Sequence, residues 1–68
     1  MRNSQKNSMT NREREVFDFL IQAKSNPEIA EAMAISVKTV EKHVSAVLRK
    51  VAVKDRRALI VKHYETSR

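Results

Sequence analysis

The chain has 68 residues, with 14 Lys and Arg against 8 Asp and Glu for a formal net charge of +6, and contains neither Cys nor Gly. This length allows one small domain and excludes a nucleotide-binding α/β domain, which needs roughly 100 residues or more. Without Cys there is no disulfide, Cys-based zinc site or thiol nucleophile, and without Gly there is no Gly-rich phosphate loop. No segment approaches the roughly 20 apolar residues of a membrane span. The composition favours a small, basic, all-helical domain.

The positive charge is concentrated in the second half of the chain. Residues 1–35 carry five basic and five acidic residues, whereas residues 36–68 carry nine basic and three acidic residues. A concentrated excess of this kind is the electrostatic footprint of a protein that binds a polyanion such as nucleic acid. The alternative is a solvated basic surface that keeps the protein soluble, and charge alone leaves both open.

The chain begins with a polar segment and a helix-start signal. Residues 1–8 have no apolar periodicity, so we expect a disordered tail there and one helical domain over residues 9–68. Thr10 and Glu13 have the spacing of a capping box, in which each side chain bonds the other residue's backbone N–H. This predicts a first helix from Thr10 to about Ala23.

Three further helix starts follow. Ser25 and Glu28 form a second capping box, with Pro27 tolerated in the first turn of a short helix that ends near residue 33. Ser36 is a good N-cap for a third helix over residues 37–51. Asp55 can cap a fourth helix, whose apolar residues are spread more widely than a single stripe and could pack internally or form a partner surface.

The third helix has two distinct faces. Its apolar residues recur at helical spacing and fill one face: Val37, Val40, Val44, Val47, Leu48 and Val51. The opposite face carries Lys38, Glu41, Lys42, Ser45 and Arg49, and one flank carries Thr39, His43, Ala46 and Lys50. With the helix before it, this segment forms a helix-turn-helix candidate, in which the small Ala30 lies at the crossing and Ile35 and Val40 fill the space beneath. At about 1.5 Å per residue the helix exceeds 20 Å, and a major groove about 12 Å wide admits it.

Several motifs occur in order along the chain: residues 9–16 (MTNREREV), 25–30 (SNPEIA), 35–40 (ISVKTV) with His43, and 48–53 (LRKVAV) followed by Asp55 and Arg56. Together they resemble the LuxR-type, or GerE-like, DNA-binding domain of bacterial regulators, over roughly residues 9–64. The resemblance implies a four-helix bundle with a recognition helix at about 37–51, sequence-specific binding to promoter DNA, and dimerisation through the last helix. Most members carry a receiver or ligand-sensing domain before this module, so the chain is a stand-alone regulator or a fragment, and its initial Met favours the former.

The resemblance also implies roles for individual residues. Base readers are expected on the outer face of the third helix: Lys38, Glu41, Lys42, Ser45 and Arg49. Phosphate contacts are expected from Ser25, Asn26, Thr39, His43 and Lys50, and the dimer or partner surface from Leu59, Ile60, Lys62, His63 and Tyr64. Glu41 stands where many relatives have Lys, and its carboxylate either accepts a hydrogen bond from a cytosine amino group or is repelled by phosphate. Pro27, where relatives often carry Lys, removes one N–H donor and one charge.

Two other classes of function compete with DNA binding. A protein-interaction module that pairs with another regulator of this type is compatible with Glu41 on the reading face and with the apolar last helix. An enzyme is disfavoured, because no nucleophile–base pair or cofactor loop is present, and His43 and His63 lack the further ligands of a metal site. We expect no cofactor, small-molecule ligand or membrane association, and a cytoplasmic, nucleoid-associated bacterial protein.

The family pattern shows which positions of this chain lack an expected Gly. Relatives commonly have Gly where this chain has Ala23, Ala34 and Ala52. Each position ends a helix, where Gly readily adopts a left-handed conformation that costs other residues about 1–2 kcal/mol. Either the backbone avoids positive φ at these alanines, or the turns carry local strain.

Overall fold

The computed structural model describes residues 9–66, without the side chain of Thr66. It contains the helices α1 (Asn11–Ile21), α2 (Asn26–Met33), α3 (Val37–Val51) and α4 (Arg56–Thr66). This confirms the predicted all-α, four-helix fold, with α3 at the boundaries predicted for the third helix. Within the described part of the chain, no helix combines the length and apolar character that crossing a membrane requires. The tail predicted for residues 1–8 lies outside the described residues.

Local hydrogen bonds fix the helix starts that the sequence predicted. The hydroxyl of Thr10 accepts from the backbone N–H of Glu13 (3.1 Å), and the carboxylate of Glu13 accepts from the N–H of Thr10 (3.0 Å). The second capping box is also confirmed, since the Ser25 hydroxyl accepts from the N–H of Glu28 and the Glu28 carboxylate from that of Ser25. Ser36 caps α3 by accepting from the third helical N–H at 3.0 Å. These bonds satisfy donors that a helix end leaves unpaired.

The core forms where α3 packs against the other three helices. Ala30 is 7% exposed and Val40 fully buried, and Ile35 packs against the cluster, as the predicted crossing of α2 and α3 requires. The buried hydrophobic residues are Val16, Leu20, Ile29, Ala30, Met33, Val40, Val44, Val47 and Leu59. Because α3 uses its valine face for this packing, its polar face is directed to solvent.

The assignment of Leu59 to a dimer or partner surface is wrong. This side chain is 1% exposed and belongs to the core, because α4 packs against α1 and α3. Four residues further on, one helical turn along the same face, half-buried His63 places its ring edge-on to Phe17, with ring centroids 6.0 Å apart. Ile60 is also half-buried. The inner face of α4 is therefore the Leu59–His63 side.

The remaining predicted surface residues of α4 are exposed, and both also bond within the molecule. Lys62 donates to the carbonyl of Val51 (3.2 Å), and the Tyr64 hydroxyl donates to the carbonyl of Ile21 (3.3 Å). The neighbouring Val61 is 50% exposed. The outer face of α4 therefore includes Val61, Lys62 and Tyr64, and excludes the predicted surface residue Leu59.

All three alanines at the helix ends are left-handed. Their φ angles are 64° at Ala23, 58° at Ala34 and 65° at Ala52. Each N–H donates to the carbonyl three residues back, and the next residue's N–H donates to the carbonyl five residues back, at distances of 2.9–3.3 Å. This is the Schellman motif, which satisfies helix-end carbonyls and usually contains Gly. The option that the backbone avoids positive φ is wrong, and each turn carries the cost of an L-residue in this region.

Candidate nucleic-acid interface

The outer face of α3 presents a continuous polar surface. Lys38, Glu41, Lys42, Ser45 and Arg49, the residues predicted to read bases, are all exposed. Within residues 9–66, none of these side chains has an ion pair or hydrogen bond to another residue. From the first to the last they extend over about 16 Å at 1.5 Å per residue. The face carries three cations and one anion and is available to an external polyanion.

One flank of α3 faces the start of α1, a contact that the sequence did not predict. Lys50, expected at a phosphate, donates from Nζ to Oε1 of Glu13 at 2.7 Å. The side chain of Glu13 is 11% exposed, and the same oxygen accepts from the N–H of Thr10. One carboxylate oxygen therefore caps α1 and binds the last turn of α3, which fixes the rotation of α3 relative to α1. Thr39 and His43 are half-buried on this flank.

The environment of Glu13 also changes its acidity. The hydrogen bond from Lys50 contributes most to holding the pKa of this carboxyl below its ordinary value, followed by the hydrogen bond from the backbone of Thr10, and the charge of nearby His43 adds to the effect. Partial burial opposes these contributions. The charged form is thus stabilised by folding.

This lowered pKa predicts acid sensitivity. A carboxyl whose pKa is lower in the folded than in the unfolded chain adds stability above its unfolded pKa, about 4.3, and loses it as the pH falls through the folded value. We expect Glu13→Gln to reduce the free energy of unfolding by about 1–2 kcal/mol at pH 7, and by less at pH 3. Urea unfolding of both proteins between pH 3 and pH 7 measures the difference.

The control for this prediction is Glu15→Gln in the same helix. Glu15 forms only an exposed ion pair with Arg12 at 3.4 Å, so its loss should change stability by less than about 0.5 kcal/mol. If the curves of Glu13→Gln and the parent chain run parallel over the whole pH range, Glu13 does not provide the acid-sensitive stability.

The start of α2 is tied to the start of α4. Arg56 donates from Nη1 to Oδ1 of Asn26 and from Nη2 to the carbonyl of Lys24, both at 2.8 Å. The backbone N–H of Ser25 donates to Glu28 in the capping box, and Pro27 has no N–H. The groups predicted to donate to a phosphate here are therefore the backbone N–H and side-chain amide of Asn26 and the hydroxyl hydrogen of Ser25, whose oxygen accepts in the capping box. Arg56 thus holds Asn26 in place. The sequence motif included Arg56 but gave no sign of its partners.

The described residues contain no group of three or more His, Cys, Asp or Glu side chains placed to hold a metal ion. The arrangement instead consists of the exposed polar face of α3, held in place by the other three helices. The family model of bacterial regulatory proteins of the luxR family, GerE, matches residues 7–63. The chain belongs to this family.

Individual relatives agree with the family match. The chain is 47% identical over 53 residues to the spore germination protein GerE of Bacillus subtilis, covering 78% of this chain and 72% of that protein. It is 50% identical over 48 residues to the transcriptional regulatory protein YhcZ of B. subtilis, covering 71% of this chain and 22% of YhcZ. The response regulator VraR of Staphylococcus aureus is 42% identical over 53 residues, which are 78% of this chain and 25% of VraR. As a luxR-family domain, the chain is a DNA-binding regulator of transcription.

Proposed function

We propose that the chain binds promoter DNA sequence-specifically as a homodimer, with α3 of each copy in the major groove. The observation that carries this proposal is the exposed face of α3, whose polar residues have no bonding partner within residues 9–66 while the opposite face forms the core. A helix held this way enters a groove about 12 Å wide without rearrangement of the bundle.

The side chains of this face suit different base edges. Lys38, Lys42 and Arg49 donate to the guanine acceptors O6 and N7 of the major groove, and Glu41 accepts from the amino group of cytosine. Ser45 has a hydroxyl that serves either as donor or as acceptor. Glu41 favours sites that place a cytosine amino group opposite it, because phosphate and the guanine acceptors would repel its carboxylate.

The phosphate contacts surround this face. Thr39, His43 and Lys50 line the flank towards α1, while Ser25 and Asn26 lie at the start of α2. Lys50 bonds to Glu13 within the molecule, and we propose that its ammonium group, which has three N–H donors, also contacts a phosphate. Contacts to the phosphates of the DNA backbone set the register of the protein on DNA but carry no sequence information.

Selection of bound fragments from the genomic DNA of the source bacterium, at two salt concentrations, tests the proposal. A sequence-specific regulator enriches one motif at both concentrations, and its affinity falls steeply with salt because phosphate contacts release counterions. Fragments that bind without any enriched motif would contradict a specific regulator.

Lys42→Ala tests the reading face directly. Loss of a bidentate base contact costs about 1–3 kcal/mol, so we expect specific affinity to fall about 10- to 100-fold and discrimination at one base pair to relax. Lys54→Ala removes an equivalent exposed charge from the turn after α3 and should retain the parent sequence preference. Titration of labelled DNA with the parent site and single-base variants measures both. Equal losses of affinity for all DNA sequences would show that Lys42 contacts only phosphate.

A second candidate function is pairing with another luxR-family regulator. It is favoured by the exposure of Val61 (50%) and Tyr64 (56%) on α4, since large exposed apolar side chains are typical of protein contacts. Thr39→Ala separates the two candidates, because loss of a phosphate contact weakens DNA binding and leaves protein pairing intact. Either function places the chain in the bacterial cytoplasm, and DNA binding places it at the nucleoid.

A further inference from the structure

The start of α3 exposes a valine beside the polar face of this helix. Val37 is 39% exposed, whereas Val40, Val44 and Val47 are buried. The periodicity of the sequence groups Val37 with these valines on one face, but in the structure it is open to solvent. At about 100° per residue, Val37 lies about 60° from Val40 and only about 40° from the exposed Glu41. Val37 therefore adds an apolar side chain to the edge of the polar face.

Local contacts fix the position of this valine. Ile35 packs against the core and Val40 is fully buried, so the backbone is anchored on both sides of Val37. The Ser36 hydroxyl accepts from the N–H of Thr39 at 3.0 Å, and the hydroxyl oxygens of these two residues are 2.9 Å apart. A β-branched side chain in a helix also has one strongly preferred χ1 rotamer. Little conformational freedom is therefore lost when a ligand covers the methyl groups of Val37.

We propose that Val37 contacts the C5-methyl group of a thymine in the major groove. The inference rests on the proposed insertion of α3 into this groove, and it adds a base and the residue that reads it. In a helix-turn-helix the N-terminal residues of the second helix contact base edges, and Val37 is the first residue of α3. Of the four bases, thymine presents a methyl group at the major-groove edge, and apolar side chains recognise it.

The surroundings of Val37 favour DNA over a protein partner. Lys38 and Lys42 follow it on α3 as exposed cations, and within the described part of the chain neither has an ion pair or hydrogen bond to another residue. Apolar patches that bind proteins usually extend over a few hundred Å². Val37 is instead a single apolar side chain, flanked along the chain by Ser36 and Lys38. One methyl group on a polyanion matches this combination in size and in charge.

The position of the thymine follows from the spacing along α3. Val37 and Glu41 are four residues apart, which is about 6 Å along the helix axis. Base pairs follow one another at about 3.4 Å along DNA, so the two side chains reach base pairs at most about two steps apart. Because Glu41 is proposed to accept from a cytosine amino group, the target site should contain a thymine within about two base pairs of that cytosine.

Replacing thymine by uracil tests the contact, because uracil lacks only the C5-methyl group. Each thymine in one half-site of the selected motif is replaced in turn, and titration of labelled DNA gives the affinities. At one position the parent chain should bind the uracil site about fourfold more weakly, which is the effect of leaving one methyl-sized group uncovered. Val37→Ala should keep α3 intact, because Ala is the better helix former, and should bind the thymine and uracil sites within about 1.5-fold of each other.

Val61→Ala is the control, because it truncates another exposed valine, on α4. It should keep the parent's preference for thymine over uracil, whatever its effect on overall affinity. A preference for thymine that persists in Val37→Ala would overturn the assignment of Val37, and so would its loss in Val61→Ala.

The failure of this inference is distinguishable from failure of the proposed function. If the parent chain enriches a motif but binds its thymine and uracil forms equally at every position, Val37 does not read thymine and the proposed function stands. If no motif is enriched, sequence-specific binding itself is wrong, and this inference falls with it.

Discussion

Replacement of Leu59 by Ala is expected to lower the free energy of unfolding by about 3 kcal/mol. Leu59 is 1% exposed and is the one buried residue among the described side chains of α4. Truncating a buried leucine removes transfer free energy and leaves a cavity, for a total of about 2–5 kcal/mol. A domain of this size has a total stability of only several kcal/mol, at about 0.05–0.15 kcal/mol per residue. The variant should therefore be close to its unfolding midpoint at 37 °C.

Val61→Ala is the matched control, since it shortens an apolar side chain that is half exposed in the same helix. Its effect should stay within about 0.5 kcal/mol. Urea unfolding at a protein concentration where the chain is monomeric compares the two, because dimerisation adds to apparent stability. If Leu59→Ala unfolds at the same urea concentration as Val61→Ala, α4 is not anchored through Leu59.

Replacing all three left-handed alanines by Gly is expected to raise the free energy of unfolding by about 2 kcal/mol. An L-residue in this region costs about 1–2 kcal/mol, and the greater freedom of Gly in the unfolded chain returns about 0.5–1 kcal/mol of that gain. The sites, Ala23, Ala34 and Ala52, end three different helices, so their contributions should add. Thermal unfolding should show a midpoint about 10 °C higher.

The same substitution at Ala32 should have the opposite sign. Ala32 is exposed and lies within α2, where Gly is worse than Ala by about 1 kcal/mol. A triple variant that is no more stable than the parent chain would mean that these turns store no strain, whatever their φ angles.

Local signals were sufficient to predict most helix starts and the two faces of α3. The capping boxes at Thr10 and Ser25 act over three residues, and the valine spacing of α3 repeats within a single helix, so both are readable from the sequence. The bonds that join helices are not. Lys50 and Glu13 are 37 residues apart and Arg56 and Asn26 are 30 apart, and nothing in either residue's neighbourhood specifies its partner.

The error at Leu59 has a different physical origin. Residues 58–61 are four consecutive apolar residues, which point in all directions around a helix, so periodicity does not select an inner face. The inner face of α4 is decided by the packing of His63 against Phe17 and of Leu59 in the core. The three left-handed alanines are a different case. Their positions were identifiable from the family pattern, but the sign of φ was not. It depended on whether the next residue's N–H donates back across the helix end.

The helix ends also bear on how long each molecule survives in a cell. Proteases act on the open form of a small domain, and the population of that form follows the free energy of unfolding. A difference of about 2 kcal/mol changes the open population about 30-fold. We therefore expect the left-handed alanines to increase the rate at which the regulator is degraded. They should not change its affinity for DNA, because none of them lies on the exposed face of α3. Glycine at these sites should give a longer-lived protein with the same target sequence.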